Sequence, residues 1–181
     1  MDIPAMDKTT LAQRIKDRCL LSGEFVLRSG QVTDHYFDKY LFESDPELLR
    51  AVAEWSTALI PDAVEVLAGL ELGGVPVATA LALHTGMPVA FVRKVAKTYG
   101  TAKLAEGAGI SGCRVLIIED VITTGGQVIE SAAELRSRGA ITNAVLCVID
   151  RTGGDHSALA EAGLAVHALF TAEELMAAAP G

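Results

Sequence analysis

Between Cys113 and Arg138 the chain reads CRVLIIEDVITTGGQVIESAAELRSR, and this stretch admits few folds. Val115 to Ile118 is an apolar run too short for a buried helix and follows Gly112, so it predicts a central parallel strand ending at Glu119-Asp120. From Gln127 to Arg138, Val128, Ile129, Ala132, Ala133 and Leu135 keep helical spacing, and Gly139 stops the helix. Between strand and helix lie Val121, Ile122, Thr123, Thr124, Gly125 and Gly126. A strand, a small polar loop and a helix N-terminus in succession aim several backbone N–H groups and the positive end of a helix dipole at one spot. The glycines let the backbone come close and the threonine hydroxyls add donors, so the loop predicts a site for an oxyanion.

Neither G-x-x-x-x-G-K-[ST] nor G-x-G-x-x-G is present, which excludes an NTP P-loop and a dinucleotide fingerprint. Carboxylates directly before a phosphate loop would repel the phosphate unless they face hydrogen-bond donors, such as ribose hydroxyls, or a cation. A ribose 5-phosphate satisfies both halves. The pattern alone is also compatible with an ordinary strand-to-helix turn carrying two solvated carboxylates. IIEDVITTGG resembles the signature of the type I phosphoribosyltransferases, which bind 5-phosphoribosyl 1-diphosphate (PRPP).

At 181 residues the chain predicts one domain, 1–181, and a domain of this size buries about 70% of its unfolded surface. Cys19, Cys113 and Cys147 are three widely spaced cysteines without a C-x-x-C, which suggests neither a disulfide frame nor zinc. The N-terminus MDIPAMDKTT is not a secretion leader, so a reducing cytoplasm is the expected location. Leu72 to Val92 carries no charge, yet Pro76, Gly86 and Pro88 divide it into a helix, Val77 to His84, and a strand, Val89 to Val92, rather than a membrane span. A net charge of −8 argues against nucleic-acid binding, so an anionic substrate must be held by local cations. The four histidines lack ligand spacing, and no residue is assigned to direct metal binding.

Alternation of strands and helices predicts an α/β fold, a parallel-rich sheet flanked by helices, with ligand at the strands' carboxyl ends. Residues 1–42 are read as a hood-forming segment and 43–181 as the α/β core. A helix over Leu11–Leu21, a strand at Phe25–Leu27, a turn at Ser29-Gly30 and an extended piece at Tyr36–Asp38 predict a small antiparallel flap. Asp45 is the expected N-cap of a helix with Pro46 at its first position, reaching Leu59. Val64 to Ala68 predicts a strand, Gly69 to Gly74 a glycine loop, and a helix begins near Pro76. Strands are expected at Ile141–Ile149 and Leu164–Phe170, and helices at His156–Ala162 and Thr171–Ala178. Arg93, Lys94, Lys97 and Lys103 place four cations in eleven residues without a carboxylate, either a solvated loop or an anion funnel. Arg151 follows a strand's carboxyl end beside a glycine turn, where ligand contacts fall; its alternative is a surface ion pair with Asp150 or Asp155.

Four separated blocks within residues 20–155 are similar to the orotate phosphoribosyltransferases in particular. FVLRSG with Tyr36-Phe37 resembles that family's hood over the base, with Arg28 where the family has lysine. RKVAKTYGTAKLAEG resembles its mobile catalytic loop, and Gly69–Gly74 its pyrophosphate loop, here without a lysine. The resemblance implies transfer of the phosphoribosyl group from PRPP to orotate, giving orotidine 5′-phosphate and pyrophosphate. It assigns Glu119 and Asp120 to the ribose, Thr123, Thr124, Gly125, Gly126 and Gln127 to the 5′-phosphate, Val121 and Ile122 to the PRPP site between them, and Arg93, Lys94, Lys97 and Lys103 to the pyrophosphate region. Lys97 and Asp120 are the expected catalytic pair. Thr123, Arg151, Arg28, Tyr36 and Phe37 are the expected orotate contacts. Mg²⁺ carried mainly by PRPP, and a homodimer sharing the mobile loop, are further implications. A phosphoribosyltransferase for another base and a non-catalytic PRPP-sensing regulator are the alternatives.

Overall fold

The computed structural model describes residues 6–26, 30–94 and 104–179. Arg28, Lys97 and Lys103 lie outside the described residues. The chain enters through helix α1 (Lys8–Cys19), hairpin strands β1 (Leu20–Val26) and β2 (Val32–Phe37), helix α2 (Tyr40–Glu43) and helix α3 (Pro46–Thr57). There follow β3 (Val66–Leu70), α4 (Gly74–Thr85), β4 (Val89–Val92), β5 (Ala105–Gly107), β6 (Val115–Ile122), α5 (Gly126–Ser137), β7 (Ala144–Asp150), α6 (Ser157–Glu161), β8 (Ala165–Thr171) and α7 (Ala172–Ala177). Strands β1 and β2 pair antiparallel, the expected flap. The main sheet runs β5-β4-β3-β6-β7-β8, parallel throughout except at the β4–β5 edge.

Period-two alternation divides the buried strands between two cores. Leu67, Leu116, Ile118, Leu146 and Val148 face α1, α3 and α4, meeting Leu11, Ile15, Leu48, Val52, Val77 and Leu81. Ala68, Val115, Ile117, Val145 and Cys147 face α5, meeting Val128, Ala132 and Leu135. All five residues of β3 and all seven of β7 are buried, as central parallel strands require. Each fully buried leucine or isoleucine contributes about 1.5–3 kcal/mol.

Helix ends follow their side chains. Asp45 caps α3, its Oδ1 accepting from Glu47 N at 3.0 Å and Leu48 N at 3.2 Å, with Pro46 in the first turn as expected. Thr171 and Glu174 form a reciprocal capping box on α7. At the sheet's amino end, the Arg136 guanidinium donates to Thr142 O at 2.7 and 3.0 Å, Ala162 O at 2.8 Å and Gly163 O at 3.3 Å, latching α5 to the turns that precede β7 and β8.

Several boundaries differ from expectation. Strand β6 passes through Glu119 and Asp120 to Ile122, because β7 continues beside it and pairs Val121 with Ile149 and Ile122 with Asp150. Helix α1 stops at Cys19, since Leu20 and Leu21 are taken into the hairpin opposite Phe37 and Tyr36. Strand β7 begins at Ala144; Ile141 makes only an isolated bridge to Arg114. Neither the four-residue α2 nor the three-residue β5 carries enough periodicity to announce itself in sequence.

Candidate active site

Gly125, at φ 76°, is the N-cap of α5. A β-carbon there would also meet Leu159 Cγ at 2.8 Å, so both the left-handed backbone and the lack of space demand glycine. The first-turn N–H groups of α5 have no partners within the helix and, with Thr123 and Thr124, border a cleft of about 230 Å³. Across the cleft stand Glu71, Leu72 and Gly73 of the β3–α4 turn, with Lys39, Tyr40 and Lys94 completing the walls. Lys94 N donates to Glu71 Oε1 at 2.5 Å, tying the end of β4 to that turn.

The two acids separate at the end of β6. Glu119 lines the cleft, whereas the Asp120 carboxyl is 0% exposed. Val121 N donates to Asp120 Oδ1 at 2.6 Å, and Lys39 Nζ pairs with Oδ2 at 2.5 Å. A β-carbon on Gly73 would overlap Asp120 Oδ2, and one on Gly74 would overlap Ile118 O, so this glycine pair is required by close approach. Glu43, on the same short helix that Lys39 caps, is buried, and its Oε1 has no hydrogen-bond partner among the described residues.

Burial, and beyond it the hydrogen bond to and charge of Asp120, push the Glu43 and Glu119 carboxyls up to about 9. Burial acts on Asp120 in the same direction, but hydrogen bonds from Glu119, Glu43 and Lys39 outweigh it and hold that carboxyl below the usual range. Burial likewise opposes the Lys39 ammonium, and its pairing with Asp120 prevails, raising it. Folding thus favours the protonated form of Glu43 and Glu119 and the carboxylate form of Asp120.

The remaining residues expected at the site fall in three places. Val121, Ile122, Thr123, Thr124, Gly125, Gly126 and Gln127 gather in the cleft with Glu119 and Lys94. Arg93 opens instead into an adjoining groove beside Glu130, Ser131 and Glu134 of α5, which Lys94 and Gln127 share. Arg151 and Phe37 line a second, mostly apolar cavity of about 250 Å³ with Leu20, His35, Ile149 and Leu175. Tyr36 faces the other side of β2, against Phe25 at a ring separation of 5.5 Å, because neighbouring strand residues point oppositely. The cavities adjoin through the sheet: Arg151 N donates to Ile122 O at 2.8 Å.

The ion pair offered as the alternative role of Arg151 does not form. Asp150 instead accepts from Thr152 N at 2.8 Å and approaches His156 Nε2 at 2.8 Å, and Asp155 accepts from Ser157 N at 3.0 Å. Among the described residues the Arg151 guanidinium has no ion-pair partner. Sequence reasoning missed Lys39, Tyr40, Glu43 and Glu71. The i, i+4 spacing of Lys39 and Glu43 in DKYLFES was the available signal, but it marks a helix face only once a helix is known to be there.

Comparison with known proteins agrees with this geometry. Residues 42–161 match the phosphoribosyl transferase domain family. The chain is 53% identical over 169 residues to an orotate phosphoribosyltransferase of Nocardioides sp., covering 93% of this chain and 94% of that one. It is 42% identical over 175 residues to one of Halobacterium salinarum, covering 95% and 97%. The Mycobacterium tuberculosis orotate phosphoribosyltransferase in complex with PRPP superposes with a TM-score of 0.81 at 26% identity, covering 94% of this chain and 99% of that one. With its family model spanning the chain from α2 to α6 and its relatives matching nearly end to end, the chain belongs to the orotate phosphoribosyltransferases.

Proposed function

We propose that the protein transfers the 5-phosphoribosyl group of PRPP to orotate, forming orotidine 5′-phosphate and pyrophosphate, a step of pyrimidine biosynthesis. The observation that carries this reading is a single cleft joining the phosphate loop at the N-terminus of α5 to Glu119, in a chain whose relatives bear that activity's name. The loop from Thr123 to Gln127 holds the 5′-phosphate on backbone N–H groups and threonine hydroxyls. Glu119 and Asp120 meet the ribose hydroxyls, Glu119 from the cleft wall and Asp120 from behind it. Orotate nitrogen then forms a bond to the anomeric carbon as the bond to pyrophosphate breaks, with positive charge developing on the ribose. A carboxylate held ionised at Asp120 opposes that charge.

Arg93, Lys94, Lys97 and Lys103 serve the pyrophosphate region, with Lys97 stabilising the leaving group. Glu71 and Glu119 are the carboxyl groups lining the cleft, and among the described residues no group of three or more His, Cys, Asp or Glu could hold a metal. The residues present fit Mg²⁺ carried on the substrate's own oxygens, where it would offset leaving-group charge. Orotate takes the Arg151 side, with Phe37, Thr123 and Arg28 as its other contacts; Tyr36, expected there too, lies on the opposite face of β2 against Phe25. The single domain works in the cytoplasm as a homodimer whose 93–103 segment completes the neighbouring site.

The test is an absorbance assay of PRPP and Mg²⁺ with orotate, uracil, adenine or hypoxanthine. Turnover with orotate alone is expected; turnover with a purine in preference to orotate would overturn the assignment.

A further inference from the structure

Lys39 lines the cleft from an element that neither the phosphate loop nor the cationic segment supplies. Its side chain reaches in from the turn that starts α2 and meets Asp120 Oδ2, the same oxygen against which Gly73 is packed. That shared oxygen places the ammonium beside Gly73 of the β3–α4 turn. Among the described residues Lys94 is the other cation lining the cleft, while Glu71 and Glu119 line it with carboxyls. A side chain cannot come from Gly73 or Gly74, because both are closed by contact with β6. Any cation serving that turn must arrive from another element, and α2 supplies one. The Lys39 side chain is 32% exposed, so it is not sealed against Asp120 and has a path toward a ligand.

We propose that Lys39 is a substrate-contacting cation of this site, resting on Asp120 when the cleft is empty and turning to a diphosphate oxygen of PRPP when it is filled. The exchange frees Asp120 to accept from a ribose hydroxyl, so one ligand satisfies both members of the pair. This rests on the phosphoribosyl-transfer reading and adds to it a residue that neither the phosphate loop nor the cationic 93–103 segment contains. Its advantage is electrostatic: a carboxylate needed for the reaction is never left unpaired, before binding or after it.

The test separates ligands that carry a diphosphate from one that carries the ribose phosphate without it. Binding of PRPP with Mg²⁺, inorganic pyrophosphate with Mg²⁺, and orotidine 5′-phosphate is measured by calorimetry on the full chain, wild type and Lys39→Met. Loss of one charge-assisted contact is expected to weaken PRPP and pyrophosphate by roughly ten- to a hundredfold and to leave orotidine 5′-phosphate within about threefold. Lys39→Arg keeps the charge and recovers much of the loss. Equal weakening of PRPP and orotidine 5′-phosphate with pyrophosphate unchanged would mean that Lys39 only holds Asp120, and unchanged PRPP binding would mean that it does nothing for substrate; either result overturns the proposal. If Lys39→Met unfolds because Asp120 is left unpaired, Lys39→Met with Asp120→Asn removes the orphaned charge, and its ligand preference is compared with that of Asp120→Asn alone. Wild-type protein that binds none of the three would instead refute the phosphoribosyl-transfer reading itself.

Discussion

His156 Nε2 lies 2.8 Å from Asp150 Oδ2 across the turn that carries Arg151, while Thr152 N donates to the other oxygen of the same carboxyl at 2.8 Å. The buried Asp150 is thereby occupied on both oxygens, and among the described residues the neighbouring guanidinium has no carboxylate partner. If Arg151 reads the carboxylate that distinguishes orotate from uracil, Arg151→Ala should raise the orotate KM roughly ten- to a hundredfold with little change for PRPP. His156→Ala should reproduce part of that effect, because Asp150 becomes free to compete for Arg151, and His156→Gln, which keeps a donor, should restore it. The ratio of orotate to uracil kcat/KM in the three variants is the measurement. An unchanged ratio in Arg151→Ala removes Arg151 from base recognition.

If Asp120 serves the ribose as proposed, Asp120→Asn should lower kcat/KM at least tenfold while the protein remains folded, since it removes the carboxylate paired with Lys39 rather than an apolar core contact. Steady-state kinetics beside a thermal melt decide it. Activity within a factor of two of wild type would show that the charge is not used.

The β6–α5 stretch announced most of this site, and the reason is local: strand, loop and helix are consecutive, so spacing alone brings Glu119 and Thr123–Gln127 together. Asp45, Pro46 and Thr171 were equally legible, because a cap is read within four residues. Lys39 and Glu43 were not legible, since their burial depends on α2 being folded against Asp120, some eighty residues along the chain, and no periodicity encodes that. The same limit explains Tyr36 and Phe37. A pair of adjacent aromatics in a strand must split between two faces, and only the pairing of β1 with β2 shows which one meets Arg151.

Gly125→Ala tests the loop by space and torsion together. A left-handed alanine costs about 1–2 kcal/mol, and its β-carbon would press on Leu159, 2.8 Å away. The expected result is a lower melting temperature and weaker PRPP binding, with the orotate KM less affected. Full retention of both stability and PRPP affinity would mean that the loop re-forms without its left-handed N-cap.

The pH dependence of stability has a defined sign at Glu43. Its carboxyl is raised from the ordinary value to about 9 in the folded chain, so folding favours its protonated form. That contribution is fully present below the unfolded value near 4.5 and is lost progressively as pH rises to about 9. Glu43→Gln mimics the protonated acid at every pH and should flatten the decline in melting temperature between pH 5 and 9. Glu119 titrates in the same direction, so a residual slope should remain. A decline as steep as in wild type would place the ionised form of Glu43 in the native state.

The Arg136 latch has a bearing on how the protein responds to ionic strength. Its guanidinium is met by the carbonyl oxygens of Thr142, Ala162 and Gly163 rather than by a carboxylate. Contacts between a charge and fixed dipoles at such short range are little affected by mobile ions, whereas the exposed cations of the cleft exert a field that falls off within a Debye length, about 8 Å in physiological salt. The end of the sheet that keeps α5 in place and the end proposed to capture an anion are thus governed by different physics, and concentrated salt is expected to weaken anion binding in the cleft without loosening the frame that builds it.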